Sequence, residues 1–68
     1  MKNNLKVLRA MASISQGDLA DKIQVSRQTI NAMETGRYVP STVLALKLAR
    51  FFEKPVEEIF QLEDSDGV

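Results

Sequence analysis

The sequence predicts an all-α domain of five short helices. Apolar residues recur at the spacing of one helix face, as Leu5, Leu8 and Ala12 do. Serines stand just before three such runs, where helix caps are favoured. Gly36 and Pro55 mark breaks, because glycine accepts the positive φ that ends a helix and proline suits a first turn. A chain of 68 residues has room for one domain.

The elements are expected in the following order along the chain. Helices are predicted over 3–12, 16–23, 26–35, 41–53 and 55–59. Ser15 followed by Asp18 resembles a capping box at the start of the second helix. The mostly alternating stretch from Ile59 to Glu63 suits a short C-terminal β-strand. The domain is therefore expected to cover 1–63, with a disordered tail over 64–68.

The composition excludes several classes of site. The chain has no cysteine and no histidine, so disulfides and thiolate or imidazole metal sites are absent. The commonest general base and the best nucleophile are missing too, and we expect neither an enzyme nor a cofactor. No apolar run approaches the roughly 18 residues that span a membrane, which predicts a cytoplasmic protein. A domain this short usually needs a further stabiliser, and a second chain is what remains.

Charge is distributed unevenly along a chain whose net charge is zero. Residues 1–52 carry eight basic and three acidic side chains, a net charge of +5. Residues 53–68 carry one basic and six acidic side chains, a net charge of −5. Such a molecule can present a basic face to nucleic acid while remaining neutral overall.

Residues 16–35 have the pattern of a helix-turn-helix, two short helices joined by a tight turn. Ala20 falls where the helices would cross closely, and Val25 would fill the turn. Ile30 and Met33 would anchor the second helix to the core. The remaining residues of that helix would then face a major groove.

The outward residues are of the types that recognise DNA. Arginine reaches two acceptors on guanine, glutamine and asparagine bond adenine, and alanine can contact a thymine methyl group. We expect base contacts from Arg27, Gln28, Asn31 and Ala32. We expect contacts to the DNA backbone from Gln16, Ser26, Thr29, Arg37 and Tyr38.

At this point the chain resembles the lambda-repressor-like, Cro/Xre-type family of helix-turn-helix proteins. The motifs that carry the resemblance are LKVLR (5–9), SQGDLADKI (15–23), VSRQTINAMETGRYVPS (25–41), LALKLA (44–49) and PVEEIF (55–60). The resemblance implies a five-helix domain whose third helix reads DNA. It also implies an ion pair between Arg9 and Glu34 beside the core. Gln24 stands where a turn glycine is common in the family, so we expect a positive φ there.

These observations predict a double-stranded DNA-binding transcriptional regulator, a homodimeric repressor of an inverted-repeat operator. The alternative is an antitoxin-like or other protein-interaction module on the same scaffold. We expect so short a chain to carry neither a toxin-wrapping nor a ligand-sensing segment, which favours the regulator and predicts no small-molecule ligand.

The dimer interface is predicted from the fourth helix. Its core face is expected to hold Ala45, Leu46, Ala49 and Phe52. Leu44 and Phe51 lie together outside that arc, at about 100° per residue. With the apolar residues that follow, they predict a two-fold interface formed by Leu44, Phe51, Ile59, Phe60 and Leu62.

Overall fold

A computed structural model describes residues 1–67, and Val68 lies outside the described residues. The helices are α1 (Leu5–Ala12), α2 (Gln16–Ile23), α3 (Arg27–Glu34), α4 (Thr42–Phe52) and α5 (Val56–Ile59). Two short strands, β1 (Lys2–Asn3) and β2 (Phe60–Gln61), flank them. The predicted five-helix class is confirmed. Within the described part of the chain, no helix is long and apolar enough to cross a membrane.

Three serines set the starts of α2, α3 and α4. Ser15 accepts a hydrogen bond from the backbone N–H of Asp18, whose carboxylate accepts from Ser15 N, so the predicted capping box is present. Ser26 and Ser41 each accept from the backbone N–H three residues on. Each cap satisfies a helix N–H that has no other partner, which is worth about 1 kcal/mol.

Left-handed residues end most of the helices. Gly36 has a φ of 76°, and Gln24, with a φ of 62°, ends α2 as expected. Ser13 and Glu53 also have positive φ, at 57° and 55°, although their residue types did not indicate it. A side chain in this region costs roughly 1 kcal/mol relative to glycine. The tight turns after α1, α2 and α4 are therefore formed against a small local penalty.

All five helices contribute to a single core. Its fully buried side chains are Leu5, Leu19, Ile30, Met33, Leu48 and Ile59. Ile30 and Met33 anchor α3, as predicted, and Ala20 is buried where α2 and α3 meet. Half-buried apolar residues, among them Val25 in the turn, pack around this cluster. The core thereby fixes which face of α3 remains outside.

The predicted core face of α4 is wrong in its rotation. Leu44 and Leu48 are buried, whereas Leu46 is 56% exposed. Ala45 and Ala49 only border the core. A periodic pattern gives the angular order of residues around a helix, but here apolar residues lie on every side. Packing of α4 against α2 and α5 decides which arc is buried.

The correction to α4 also changes the predicted dimer interface. Leu44, Ile59 and Phe60 are buried in the protomer's own core, with at most 8% of their surface exposed: Leu44 6%, Ile59 0% and Phe60 7%. These three positions are therefore wrong for an exposed interface. Phe51 is half-buried against Phe52. Leu62 remains outside, at 61% exposure.

The predicted C-terminal strand exists and pairs with a strand that was not predicted. Strand β2 pairs antiparallel with β1, with Lys2 opposite Gln61 and Asn3 opposite Phe60. Ile59, expected to begin the strand, instead ends α5. Because Lys2 and Asn3 belong to β1, α1 begins at Leu5 rather than at residue 3.

The expected disordered tail contains a short ordered turn. Asp64–Asp66 forms a 3-10 turn in which the Asp66 carboxylate accepts from Glu63 N at 2.7 Å. The Met1 ammonium group lies 3.1 Å from Glu63 and 3.4 Å from Asp66. Hydrogen bonding to the Glu63 carboxylate raises the pKa of this amino group from 8.0. These contacts hold Asp64–Asp66 beside the β1–β2 sheet.

Candidate nucleic-acid interface

The geometry of α2 and α3 is that of a helix-turn-helix. The turn contains Gln24, Val25 and Ser26, and the Val25 N–H donates to Ala20 O at 3.0 Å. Ala20 is only 3% exposed, because a small side chain lets the two helices approach. The first turns of α3 are consequently presented outward beside the start of α2.

An open cleft lies along the exposed side of α3. It has a volume of about 600 Å³ and is lined by Gln16, Arg27, Gln28, Asn31 and Arg37. The lining contains two guanidinium groups, three side-chain amides and no carboxylate. Such a surface is matched to anionic, hydrogen-bonding ligands.

Most of the predicted site residues meet at this cleft, and some lie around it. Ala32 is half-buried on α3 and does not line it. Tyr38, 43% exposed, follows Arg37 in the loop after α3. The Ser26 and Thr29 hydroxyls lie 2.9 Å apart at the start of α3. Arg37 donates through Nε to Thr35 Oγ1 at 3.2 Å, which directs its guanidinium group along the end of the helix.

A hydrogen-bonded chain connects the core side of α3 to this cleft. Arg9 donates to both carboxylate oxygens of Glu34, through Nε at 2.6 Å and Nη2 at 3.1 Å. Its Nη1 donates to Ile14 O at 3.0 Å. Gln16 Nε2 donates to Glu34 Oε1 at 3.1 Å and to Asn31 Oδ1 at 3.2 Å. The structure thus contains the Arg9–Glu34 pair that the resemblance implied, and extends it to a cleft residue.

The charges of this pair stabilise each other. Glu34 has a side chain only 5% exposed, against 15% for Arg9. Burial opposes the charge on Glu34, but hydrogen bonds from Arg9 and Gln16 outweigh it, so the pKa of the carboxyl is lowered from 4.5. The hydrogen bond to Glu34 raises the pKa of Arg9. Both groups are therefore charged over the whole physiological pH range.

The role of Gln16 is where sequence reasoning was incomplete. Its side-chain amide was expected to contact a DNA phosphate, yet both amide hydrogens are directed at Glu34 and Asn31. The backbone N–H of Gln16, in the first turn of α2, is the group that suits a phosphate. No sequence pattern indicates such a link, because it depends on the distance between two helices.

A helix-turn-helix that presents arginine and amide side chains outward from its second helix defines a DNA-binding domain. Comparison with known proteins agrees with this class. The family model described as "Helix-turn-helix" matches residues 5–59. The chain therefore belongs to the lambda-repressor-like, Cro/C1-type family of helix-turn-helix transcriptional regulators. This is a family of DNA-binding regulators rather than of enzymes.

Three relatives illustrate the similarity. A protein named as an uncharacterized HTH-type transcriptional regulator from Methanocaldococcus jannaschii is 53% identical over 97% of this chain and 100% of its own length. One of the same description from Bacillus subtilis is 46% identical, with the same coverage. Another from Archaeoglobus fulgidus is 38% identical over 97% of this chain and 93% of its own length.

Proposed function

We propose that the protein is a homodimeric repressor that reads an inverted-repeat operator through the major groove. The observation that carries this proposal is the convergence of Arg27, Gln28 and Asn31 on one open cleft. These side chains have the donors and acceptors that distinguish base edges. A dimer bound at an operator would block access to the DNA, which is the basis for inferring repression. We assign it to the cytoplasm because its proposed target is chromosomal DNA.

Two sets of residues would share the contact with DNA. We assign base contacts to Arg27, Gln28, Asn31 and Ala32, and backbone contacts to Gln16, Ser26, Thr29, Arg37 and Tyr38. The hydroxyls of the second set lie at the start of α3, where the helix dipole favours a phosphate. Gln16 would contribute its backbone N–H, since its side chain bonds within the protein.

An apolar surface on the outside of α4 supports the dimer. It consists of Val39, Val43, Leu46 and Leu62, each between 56% and 65% exposed, and we call it the outer patch. A groove of about 390 Å³ with mostly apolar lining, Leu46 and Leu62 included, lies beside it. Exposed apolar side chains gathered in one place are typical of contact surfaces. This patch replaces the interface that the sequence predicted and shares only Leu62 with it.

A second copy of this chain is the occupant that suits the outer patch. Lys47 and Arg50 lie on one side of Leu46, and Glu57 lines the groove on the other. A two-fold axis through the patch would set the basic side of one copy against the acidic side of the other. The loop 36–40 joins the end of α3 to the patch, so the partner would lie beside the DNA-binding surface. Two α3 helices could then meet major grooves about 34 Å apart.

Selection of duplexes from a random pool tests this function. We expect an enriched site with two inverted half-sites about one helical turn apart. Binding to the selected site should weaken steeply with salt, because phosphate contacts release counterions. Enrichment of a single half-site would contradict the dimer. Failure to enrich any sequence would contradict the regulator and favour the protein-interaction module.

A further inference from the structure

The carboxamide of Asn31 is held by the protein on its oxygen side only. Its Oδ1 accepts a hydrogen bond from Gln16 Nε2 at 3.2 Å, whereas its Nδ2 has no protein acceptor within residues 1–67. Asn31 also lines the cleft, beside Arg27 and Gln28. The oxygen of this amide is therefore turned toward α2, and its two N–H groups are left for a ligand in the cleft.

The direction of this hydrogen bond follows from the charges behind it. Arg9 donates twice to Glu34, so the carboxylate is ionised and can only accept. Gln16 must then turn Nε2, and not Oε1, toward Glu34, which lies 3.1 Å away. The second hydrogen of the same nitrogen faces Asn31. The atom of Asn31 that faces it has to be an acceptor, and that atom is Oδ1.

We propose that Gln16 is a positioning residue that makes Asn31 a hydrogen-bond donor toward DNA. The proposal rests on the proposed function, since it specifies how one base-reading residue works. A bidentate contact of asparagine with adenine needs both Oδ1 and Nδ2 on the base edge, and the bond to Gln16 prevents it. Guanine offers the acceptors O6 and N7, thymine offers O4, and cytosine presents a donor. The base facing Asn31 is therefore guanine or thymine, with adenine and cytosine disfavoured.

Gln28 provides an internal comparison on the same helix. It is exposed and lines the same cleft, but no hydrogen bond within residues 1–67 holds its amide. Both Oε1 and Nε2 of Gln28 can turn toward one base edge, as adenine recognition requires. Helix α3 thus carries one amide of fixed polarity, on Asn31, and one of free polarity, on Gln28.

Four parallel selections from a random duplex pool test the proposal, with the full chain as wild type, Asn31→Ala, Gln16→Met and Gln28→Met. Asn31→Ala identifies the base pair that Asn31 faces, as the position where sequence preference collapses. There the wild type should select guanine or thymine. Gln16→Met has a similar volume but no donor, and should raise adenine relative to guanine at that pair about tenfold. Gln28→Met should leave this pair unchanged.

Hydrogen exchange in the free wild-type protein gives a second measurement that requires no variant to fold. Both Nε2 hydrogens of Gln16 are bonded, to Glu34 and to Asn31, so they should exchange more slowly than those of Gln28. Equal exchange rates for the two side-chain amides would overturn the positioning role of Gln16.

The possible failures of the selection experiment are distinguishable. If the wild type enriches no sequence, the proposed function itself is contradicted. If a site is enriched but Asn31→Ala alters no base pair, Asn31 does not read bases and the inference is overturned. Selection of cytosine or adenine by the wild type, or an unchanged preference in Gln16→Met, would also overturn it while the regulator stands.

Discussion

Helices α3 and α4 bury similar apolar stripes and expose opposite chemistry. Helix α3 hides Ile30 and Met33 and turns polar side chains outward, held from behind by a charged network. Helix α4 hides Leu44 and Leu48 and turns apolar side chains such as Leu46 outward. Oriented polar groups suit a contact that depends on direction, as with base edges. Exposed apolar groups suit a contact that depends on buried area, as with a second protein surface.

The largest effect should come from cutting the network beneath α3. Glu34→Ala leaves Arg9, which is 15% exposed, without its carboxylate partner. Removing one partner of a buried pair costs about 3–5 kcal/mol, and the partial exposure of Arg9 favours the lower end. Asp21→Ala, at an exposed position of α2, should change the free energy of unfolding by less than about 0.5 kcal/mol. Urea unfolding measures both, and equal losses would show that the pair does not anchor α3.

The exposed side of α3 could be predicted because its residue types allow one orientation only. With Ile30 and Met33 as its apolar residues, the helix can bury a single face, and the cleft residues must lie opposite. The link from Gln16 to Asn31 could not be predicted. It depends on how far the start of α2 lies from α3, which is a property of tertiary packing and not of local sequence.

The exposed side of α4 could not be predicted, because apolar residues surround that helix. Leu44 and Leu46 are the same residue type two positions apart, and only packing decides which is buried. Strand β1 was missed for a related reason. A two-residue strand has no periodicity to detect, and Lys2 pairs with Gln61, at the other end of the chain.

The next largest effect should come from placing a charge in the outer patch. Leu46→Glu removes two leucines from a two-fold interface, at roughly 1.5 kcal/mol each, and weakens the dimer by about 3 kcal/mol. Operator binding should fall with it, while the helical content stays unchanged. Val7→Glu is the matched control, because Val7 on α1 is also apolar and 59% exposed. In sedimentation, an unchanged dimer for Leu46→Glu or a monomeric wild type at tens of micromolar would remove α4 as the interface.

Substitutions in the cleft should divide base contacts from backbone contacts. Arg27→Ala and Gln28→Ala should each weaken binding to the selected site by about 1–3 kcal/mol, and weaken binding to random DNA much less. Arg37→Ala should instead weaken binding to both by similar amounts and reduce the salt slope by about 1. Binding isotherms at several salt concentrations make this distinction. Equal losses on both DNAs for Arg27→Ala would reassign that residue to the phosphates.

The smallest effect should appear as a pH dependence confined to the anchor of α3. Burial disfavours charge on Glu34, but the hydrogen bonds from Arg9 and Gln16 lower the pKa of its carboxyl below 4.5. A carboxyl with a lowered folded pKa stabilises the fold above its unfolded pKa, and that contribution is lost as pH falls through the folded value.

The free energy of unfolding should therefore be level well above pH 4.5 and decrease below it, more steeply for the wild type than for Glu34→Gln. Asp66 also has a lowered pKa, because the Glu63 backbone bonds its carboxylate. It titrates in both proteins, so its contribution cancels when one unfolding curve is subtracted from the other. Urea unfolding between about pH 3 and 6 gives this difference. A difference that does not vary with pH would mean that the charge of Glu34 contributes nothing to holding α3, and that the apolar contacts of Ile30 and Met33 suffice.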